Sequence, residues 1–300
     1  MELHKIPSYE INKKNWDACI AKHENGLIYS TTDYLDAMAD NWTGFVFGDY
    51  EAVMPIVWRK KFGIKYCYNI PFVQQLGFVG KQDEIKNIDI KKLLLTAVKY
   101  GDYNFNFFHQ NLQGIHIKLF CNYILPLNNY NYIYKNYSSD LINNLKKSSA
   151  QNLIYSNGDL DKALNIYYEL YKSRTPHVTN NDFKKFRELC KLLQPAGKSF
   201  CKQITNANNE TLAIAVFLQD DKRIYNMANS TTEAGRKTGA NHFLFDNMIR
   251  EFSEKKRILD FEGSDIPGIK SFYQKFGAIN QSYYSWHFNR LPFPLNMLKQ

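Results

Sequence analysis

Apolar residues recur every three to four positions in several stretches of the second half of the chain, which is the spacing of amphipathic helices. Residues 159–174 begin with an aspartate that can cap a helix and then carry such a stripe, formed by Leu160, Leu164, Tyr167, Tyr168 and Tyr171. The same spacing predicts further helices over 182–194, about 241–255 and 267–276. Pro195 ends the first of these three, and Gly277 closes the last.

Short apolar runs bounded by polar turns predict the strands of this half, at residues 152–156, 199–204, 211–218, 223–228, 258–262 and about 283–288. The polar segment 230–240, which contains two glycines, is interpreted as a loop leading into the helix at 241. The resulting order is β-α-α-β-β-β-α-β-α-β. We therefore predict a mixed α+β (α/β mixed sheet) fold.

The first half gives nearly the same order more faintly, so the chain is predicted to hold two copies of one architecture, over residues 1–130 and 131–300. When the two halves are aligned, the segment 111–120 corresponds to 265–276, and both contain the dipeptide Gly-Ile. The join lies in the tyrosine-rich stretch 128–149. It lacks the Gly/Ser/Pro composition of a flexible linker, so we expect a packed inter-domain helix or strand there.

Composition and charge narrow the class of protein only moderately. A chain of 300 residues with 44% hydrophobic residues is globular, and its longest apolar run, 212–218, is too short to cross a bilayer. The N-terminal residues contain no apolar signal-peptide core, and five widely spaced cysteines indicate reduced thiols, so we expect a cytoplasmic protein. The formal charge of +9 favours polyanions such as nucleic acid, nucleotide phosphates or acidic lipid headgroups, but the charge is dispersed.

Two segments of the second half carry a family resemblance. "SDIPGIKSFYQKFGA" (264–278) resembles the last helix of the GNAT acyltransferases, and "TEAGRKTGA" (232–240) is similar to their pyrophosphate loop. Two such domains in tandem, joined by "NYIYKNYSSDLINNLKKS" (131–148), resemble the FemAB-like peptidoglycan-bridge aminoacyltransferases. The resemblance covers nearly the whole chain through its architecture.

The resemblance implies transfer of an acyl or aminoacyl group from acyl-CoA or aminoacyl-tRNA to an amine, with no permanently bound cofactor. The acceptor would be a small molecule or a cell-wall precursor, and tRNA is a further potential partner. Tyr273 aligns with the tyrosine that protonates the departing thiolate, although a tyrosine there could also be a core residue. Phe272 and Tyr273 stand where Fem enzymes read Phe-Lys, which favours a thioester donor. The matching place in the first half, 117–120, has no tyrosine, so the first domain would hold the acceptor.

The segment 234–240 opens a helix, so its amides could face a phosphate with the helix dipole behind them. Arg236 and Lys237 add charge, and Gly235, Gly239 and Ala240 permit close approach of a ligand. The alternative is an ordinary glycine-rich helix entry with solvated basic residues. In that case coenzyme A is not bound here, which would fit an aminoacyl-tRNA donor.

Asp260 and Glu262 share one face of the predicted strand 258–262, with Leu259 and Phe261 on the other. Ligands of open α/β sheets lie at the carboxyl ends of such strands, so Glu262 and Asp265 could hold or deprotonate an ammonium group. The alternative role of Ser264 or Asp265 is to cap the helix that starts at Pro267.

No histidine or cysteine spacing fits a metal site, and none is predicted. "WRKKFGIKY" (58–66) mixes basic and aromatic residues and either contacts RNA or forms a hairpin with a solvated tip. The rival to the enzyme hypothesis is a non-catalytic GNAT pair that recognises an anionic cell-wall precursor or RNA.

Overall fold

The computed structural model describes residues 2–81, 88–109, 112, 114, 116–173, 175–263 and 265–297. Its strands are β1 Leu3–Pro7, β2 Trp42–Phe47, β3 Ala52–Val57, β4 Arg59–Lys61, β5 Ile64–Tyr66, β6 Tyr100–Asn104, β7 Ile117–Phe120, β8 Tyr123–Pro126, β9 Ile154–Asn157, β10 Ser199–Thr205, β11 Thr211–Gln219, β12 Arg223–Thr231, β13 Ile258–Asp260, β14 Ile279–Asn280 and β15 Tyr283–Asn289. Its α-helices are α1 Lys13–Lys22, α2 Thr32–Met38, α3 Ile90–Ala97, α4 Tyr130–Lys135, α5 Ser139–Ser149, α6 Leu160–Tyr171, α7 Asn180–Leu193, α8 Glu233–Thr238, α9 Ala240–Phe252 and α10 Pro267–Lys275.

The chain divides into two compact units, Met1–Phe120 with Ser282–Gln300, and Cys121–Gln281. The first unit holds an antiparallel sheet in the order β1-β2-β3 and a second sheet in the order β4-β5-β6-β15-β7. The last strand of the chain, β15, thus lies between two strands of the first half, where it pairs antiparallel with both.

The second unit is built on one seven-stranded sheet in the order β14-β8-β13-β12-β11-β10-β9. β12 and β13 are parallel, and the other neighbours are antiparallel. β8, from the first half of the sequence, fills the place between β13 and β14. The two units differ from the predicted ranges, 1–130 and 131–300, at two strands. β8 pairs within the second unit, and β15 pairs within the first.

Local signals explain where the helices of this unit begin. Asp159 and Ser138 each accept a hydrogen bond from a backbone N–H in the first turn of α6 and α5. Thr179 and Asp182 form a reciprocal capping box at the start of α7. Helices α4 and α5 fill the stretch 128–149, and Ile133, Tyr137, Leu141 and Leu145 bury their side chains in the core of the second unit.

Three predicted elements differ from the structure. The strand predicted over 258–262 ends at Asp260. The predicted loop 230–240 begins as the end of β12 and then forms the short helix α8. The end of the segment 111–120, aligned by sequence with the helix at 265–276, is the strand β7. Residues 110, 111, 113 and 115 lie outside the described part of the chain.

Candidate active site

The parallel strands β12 and β13 run together for only three residue pairs and then separate. Arg223, Ile224 and Tyr225 pair with Ile258, Leu259 and Asp260, and β13 ends there. β12 continues to Thr231, and in the described part of the chain no strand takes the place of β13 beside it. The backbone of β12 therefore presents an edge on this side, beyond the point of separation.

A buried ion pair fixes this point. Arg223 Nη1 donates to Asp260 Oδ2 at 2.8 Å, and Arg223 Nη2 donates to Gln281 Oε1 at 2.9 Å. Asn122 Nδ2 donates to the same carboxylate at 3.2 Å. Burial raises the pKa of Asp260, although Arg223 opposes this effect. With these partners Asp260 is a structural residue.

Glu262 lies two residues after the ion pair with its backbone in the left-handed region, at φ 57°. Its N–H donates to Asp260 Oδ1 at 3.1 Å, which stabilises this unusual conformation. The kink overturns the prediction that Asp260 and Glu262 share one face of a strand. Glu262 Oε1 is buried without a hydrogen-bond partner among the described residues, and burial raises the pKa of this carboxyl to about 8.

Tyr273, on α10, lies close enough to Glu262 to be influenced by its charge, and it is 9% exposed. Its ring stacks on Phe261, with the centroids 4.6 Å apart and an angle of 28° between the planes. Burial and then the negative charge of Glu262 raise the pKa of the Tyr273 hydroxyl, while a hydrogen bond from the Asn226 side chain lowers it. The tyrosine is therefore both a core residue and a neighbour of Glu262.

A β-bulge distorts β12 beside this pair. Val216 pairs with Ala228 and Phe217 with Asn226, so Met227 is an extra residue on β12. Asn226 Oδ1 and Ser230 Oγ are both buried and have no hydrogen-bond partner in the described ranges. Buried polar groups without partners are costly, which makes them indicators of a ligand site.

These β12 residues are not among those predicted from the sequence. The available signal was polarity: "NMANS" (226–230) places two asparagines and a serine in a strand otherwise rich in buried residues.

Asp265, the third predicted catalytic residue, is exposed, unlike Glu262 and Tyr273. It does not cap α10, because the N-cap position is Ile266 and no side chain accepts a hydrogen bond from the first turn. Ser264, the other predicted cap, lies outside the described residues. The structure thus brings two of the three predicted catalytic residues together.

The predicted phosphate-binding residues approach the protein's own chain closely. A Cβ on Gly235 would lie 2.1 Å from the Leu212 carbonyl oxygen, and one on Gly239 would lie 2.5 Å from Ser148 Oγ. Gly239 also has φ 70°, where it caps α8, and Ala240 is fully buried. Close packing against the protein's own chain is therefore sufficient to explain why both positions are glycine.

The two basic residues of this segment also have partners within the protein. Arg236 Nη1 donates to the Thr231 carbonyl at 2.9 Å, and Lys237 Nζ lies 2.9 Å from Glu233 Oε1. A phosphate group would have to compete with these contacts.

Comparison with known proteins found no matching family model and no matching curated protein. Solved structures do match. FemX superposes with a TM-score of 0.69 at 14% identity, covering 99% of both chains. A tandem GNAT protein from the clavulanic acid biosynthesis pathway matches with a TM-score of 0.56 at 9% identity, over 97% of this chain and 99% of the other. The chain has the FemX-like tandem GNAT fold.

L-PGS from Bacillus licheniformis also matches this GNAT fold, with a TM-score of 0.53 at 10% identity over 96% of this chain and 95% of the other. The predicted fold class and the predicted resemblance to FemAB-like proteins are therefore confirmed. At these identities the likeness concerns the fold, so the chemistry must be argued from the residues.

Within the described ranges, no three histidine, cysteine or acidic side chains lie close enough to hold a metal ion. None of the helices described is both long and apolar enough to cross a membrane.

Proposed function

We propose that this protein is an N-acyltransferase that moves an acyl or aminoacyl group from an activated donor to an amine. One observation carries the proposal: Glu262, whose Oε1 is buried without a hydrogen-bond partner among the described residues and whose pKa is raised to about 8, lies beside Tyr273 where β12 and β13 separate. Perturbed ionisable groups in such a place are typical of general acid–base sites. A group with a pKa near 8 can both accept and release a proton near neutral pH.

The proposed reaction uses the two residues in turn. Ionised Glu262 accepts a proton from the acceptor ammonium, and the free amine attacks the donor carbonyl carbon. The carbonyl oxygen becomes an oxyanion, for which the backbone N–H groups at the Met227 bulge are candidate donors, since the strand edge is open beside them. As the intermediate collapses, the bond to the donor sulfur or oxygen breaks and Tyr273 protonates the leaving group. The raised pKa of Tyr273 keeps its hydroxyl protonated until this step. The proton that the nitrogen loses on becoming an amide restores the Tyr273 hydroxyl, and Glu262 releases its proton to water.

Both acyl-CoA and aminoacyl-tRNA remain candidate donors. Tyr273, in the place where Fem enzymes read lysine, favours a thioester, whereas the tight packing of Gly235 and Gly239 speaks against a pyrophosphate at the α8–α9 junction. Gly235, Arg236, Lys237, Gly239 and Ala240 stay the proposed cofactor-binding set, to be tested with coenzyme A itself.

The proposed acceptor is a small amine or a cell-wall precursor, and exposed Asp265 could attract its ammonium group. All five cysteines are free thiols, which fits the proposed cytoplasmic location.

A second candidate is a binding module without catalysis, favoured by the same internal contacts of Arg236 and Lys237. A thermal-shift screen separates the two candidates. Stabilisation by coenzyme A or an acylated analogue supports the enzyme. Stabilisation by RNA or an anionic cell-wall precursor, without turnover of either donor class, supports the binding module.

The direct test measures acyl transfer from acetyl-CoA and from aminoacyl-tRNA to a panel of amines. Glu262→Gln and Tyr273→Phe should each lower kcat by roughly 10²–10⁴-fold, the range of general acid–base contributions. The matched controls are Glu10→Gln and Tyr9→Phe, because Glu10 is exposed and Tyr9 is 84% exposed. Wild-type rates in both site variants would contradict the assignment.

A further inference from the structure

A basic hairpin (residues 59–66) projects from the first unit. β4 and β5 pair antiparallel, with Lys61 opposite Ile64, and Phe62 and Gly63 form the turn between them. Both turn residues have positive φ, 50° and 80°, as in the two-residue turns that match the twist of a hairpin. Phe62 is 92% exposed at the apex, an unfavourable place for a phenyl ring in water.

Positive charges surround this ring on both faces of the basic hairpin. Successive strand residues point to opposite faces, so Lys60 and Lys65 share one face while Arg59 and Lys61 share the other. Lys60 lies directly opposite Lys65, and like charges in this position destabilise a strand pair. The repulsion between Lys60 and Lys65 therefore does not itself stabilise the fold, although Lys65 Nζ lies 3.9 Å from the centroid of the Trp58 ring.

Two more lysines extend the charge beyond the basic hairpin. The Lys99 N–H donates to the Lys65 carbonyl at 3.1 Å. The pKa of Lys5 is lowered by burial and by the charges of Lys65 and Lys99, so these side chains repel one another. Among the described residues no carboxylate forms an ion pair with Lys60, Lys61 or any of these three lysines. Arg59, in contrast, forms an ion pair with Asp40.

We propose that the basic hairpin docks the protein on an anionic membrane surface, with the Phe62 ring in the interfacial region and the lysines among the lipid headgroups. Uncompensated cations attract anionic headgroups, and an aromatic side chain ahead of them gains by leaving water. The distribution of charge favours this partner over RNA. A nucleic acid strand follows a groove on one face, whereas lysines lie on both faces of the basic hairpin behind the Phe62 ring, which suits contact with a plane.

The test is co-sedimentation of the full chain with vesicles of phosphatidylcholine that contain about 30% phosphatidylglycerol, in about 0.1 M salt. Vesicles of phosphatidylcholine alone are the lipid control. We expect binding to the anionic vesicles only, and loss of that binding in high salt. Each lysine near an anionic surface contributes about fivefold in binding, so Lys60→Gln with Lys61→Gln should weaken binding roughly 25-fold. Phe62→Ser should weaken it severalfold.

Matched variants separate the basic hairpin from general charge and hydrophobicity. Lys146→Gln with Lys147→Gln removes the same charge from an exposed pair on α5, and Phe293→Ser removes a ring that is 78% exposed elsewhere. Both should bind as the wild type does. Equal losses in the control and hairpin variants, or no binding to anionic vesicles, would overturn the proposal. So would hairpin variants that lose binding to a single-stranded RNA oligonucleotide while keeping vesicle binding.

Discussion

Arg223 donates a hydrogen bond to Asp260 at 2.8 Å, and the two side chains are only 3% and 2% exposed. The pair lies where β12 and β13 begin to separate, since Asp260 is the last residue of β13 and Glu262 follows two residues later. It therefore sets the position from which the backbone turns to direct Glu262 towards Tyr273. The ion pair supports the candidate site without taking part in the proposed chemistry.

We expect Arg223→Met and Asp260→Leu to lower the free energy of unfolding by about 3–5 kcal/mol each, because each leaves one buried charge uncompensated. The double variant should lose less than the sum of the two, since no buried charge remains. Urea unfolding of the four proteins gives the coupling energy. Strictly additive losses would show that the pair is not coupled as the geometry indicates.

The rate of acyl transfer should follow the ionisation of Glu262. Its pKa of about 8 means that the basic form accumulates as the pH rises, so kcat/KM should increase and then level off above about 8. Glu262→Gln should remove this rise from the pH profile of kcat/KM and leave only the titration of the acceptor amine. A profile of the same shape in the variant would assign the ionisation to another group.

The same carboxyl group should make stability depend on pH. The pKa of Glu262 is raised from 4.5 to about 8 on folding, so between these values the folded state binds more protons than the unfolded state. Its contribution to stability is therefore lost as the pH rises through this window. Relative to the wild type, Glu262→Gln should be more stable at pH ~9 than at pH ~5, by on the order of 2–4 kcal/mol. Parallel pH curves for the two proteins in urea unfolding would contradict the burial of this group.

Two helical glycines should respond to alanine in opposite directions. Gly235→Ala forces a Cβ against the Leu212 carbonyl and should destabilise the protein by about 1–3 kcal/mol. Gly268→Ala meets nothing within 4 Å and should stabilise it by about 0.5–1 kcal/mol. Thermal unfolding at one pH compares them. If Gly235→Ala leaves the stability unchanged, close packing does not explain the glycine, and ligand binding becomes the alternative explanation.

Local patterns in the sequence were enough to predict most helices of the second unit. The apolar stripe over 160–171 predicted α6. Pro267 and Gly277 predicted the two ends of α10 to within one residue. The Phe261–Ala278 segment also carried the resemblance that the fold comparison confirmed. These signals are short-range, because a helix forms its hydrogen bonds within four residues and its caps lie at its ends.

The sequence determined most helices of the second unit, the GNAT-like order, and the presence of Glu262 just after a strand and of Tyr273 on the helix that follows. Only the tertiary structure decided that β15 pairs with β6 and β7, because a strand's period of two does not specify its neighbours. It also decided that Asp260 is neutralised by Arg223, whereas Glu262 turns away with a positive φ and has a buried carboxyl oxygen with no hydrogen-bond partner among the residues described. The pKa of an acid depends on the groups packed around it in space, and those groups come from distant parts of the chain.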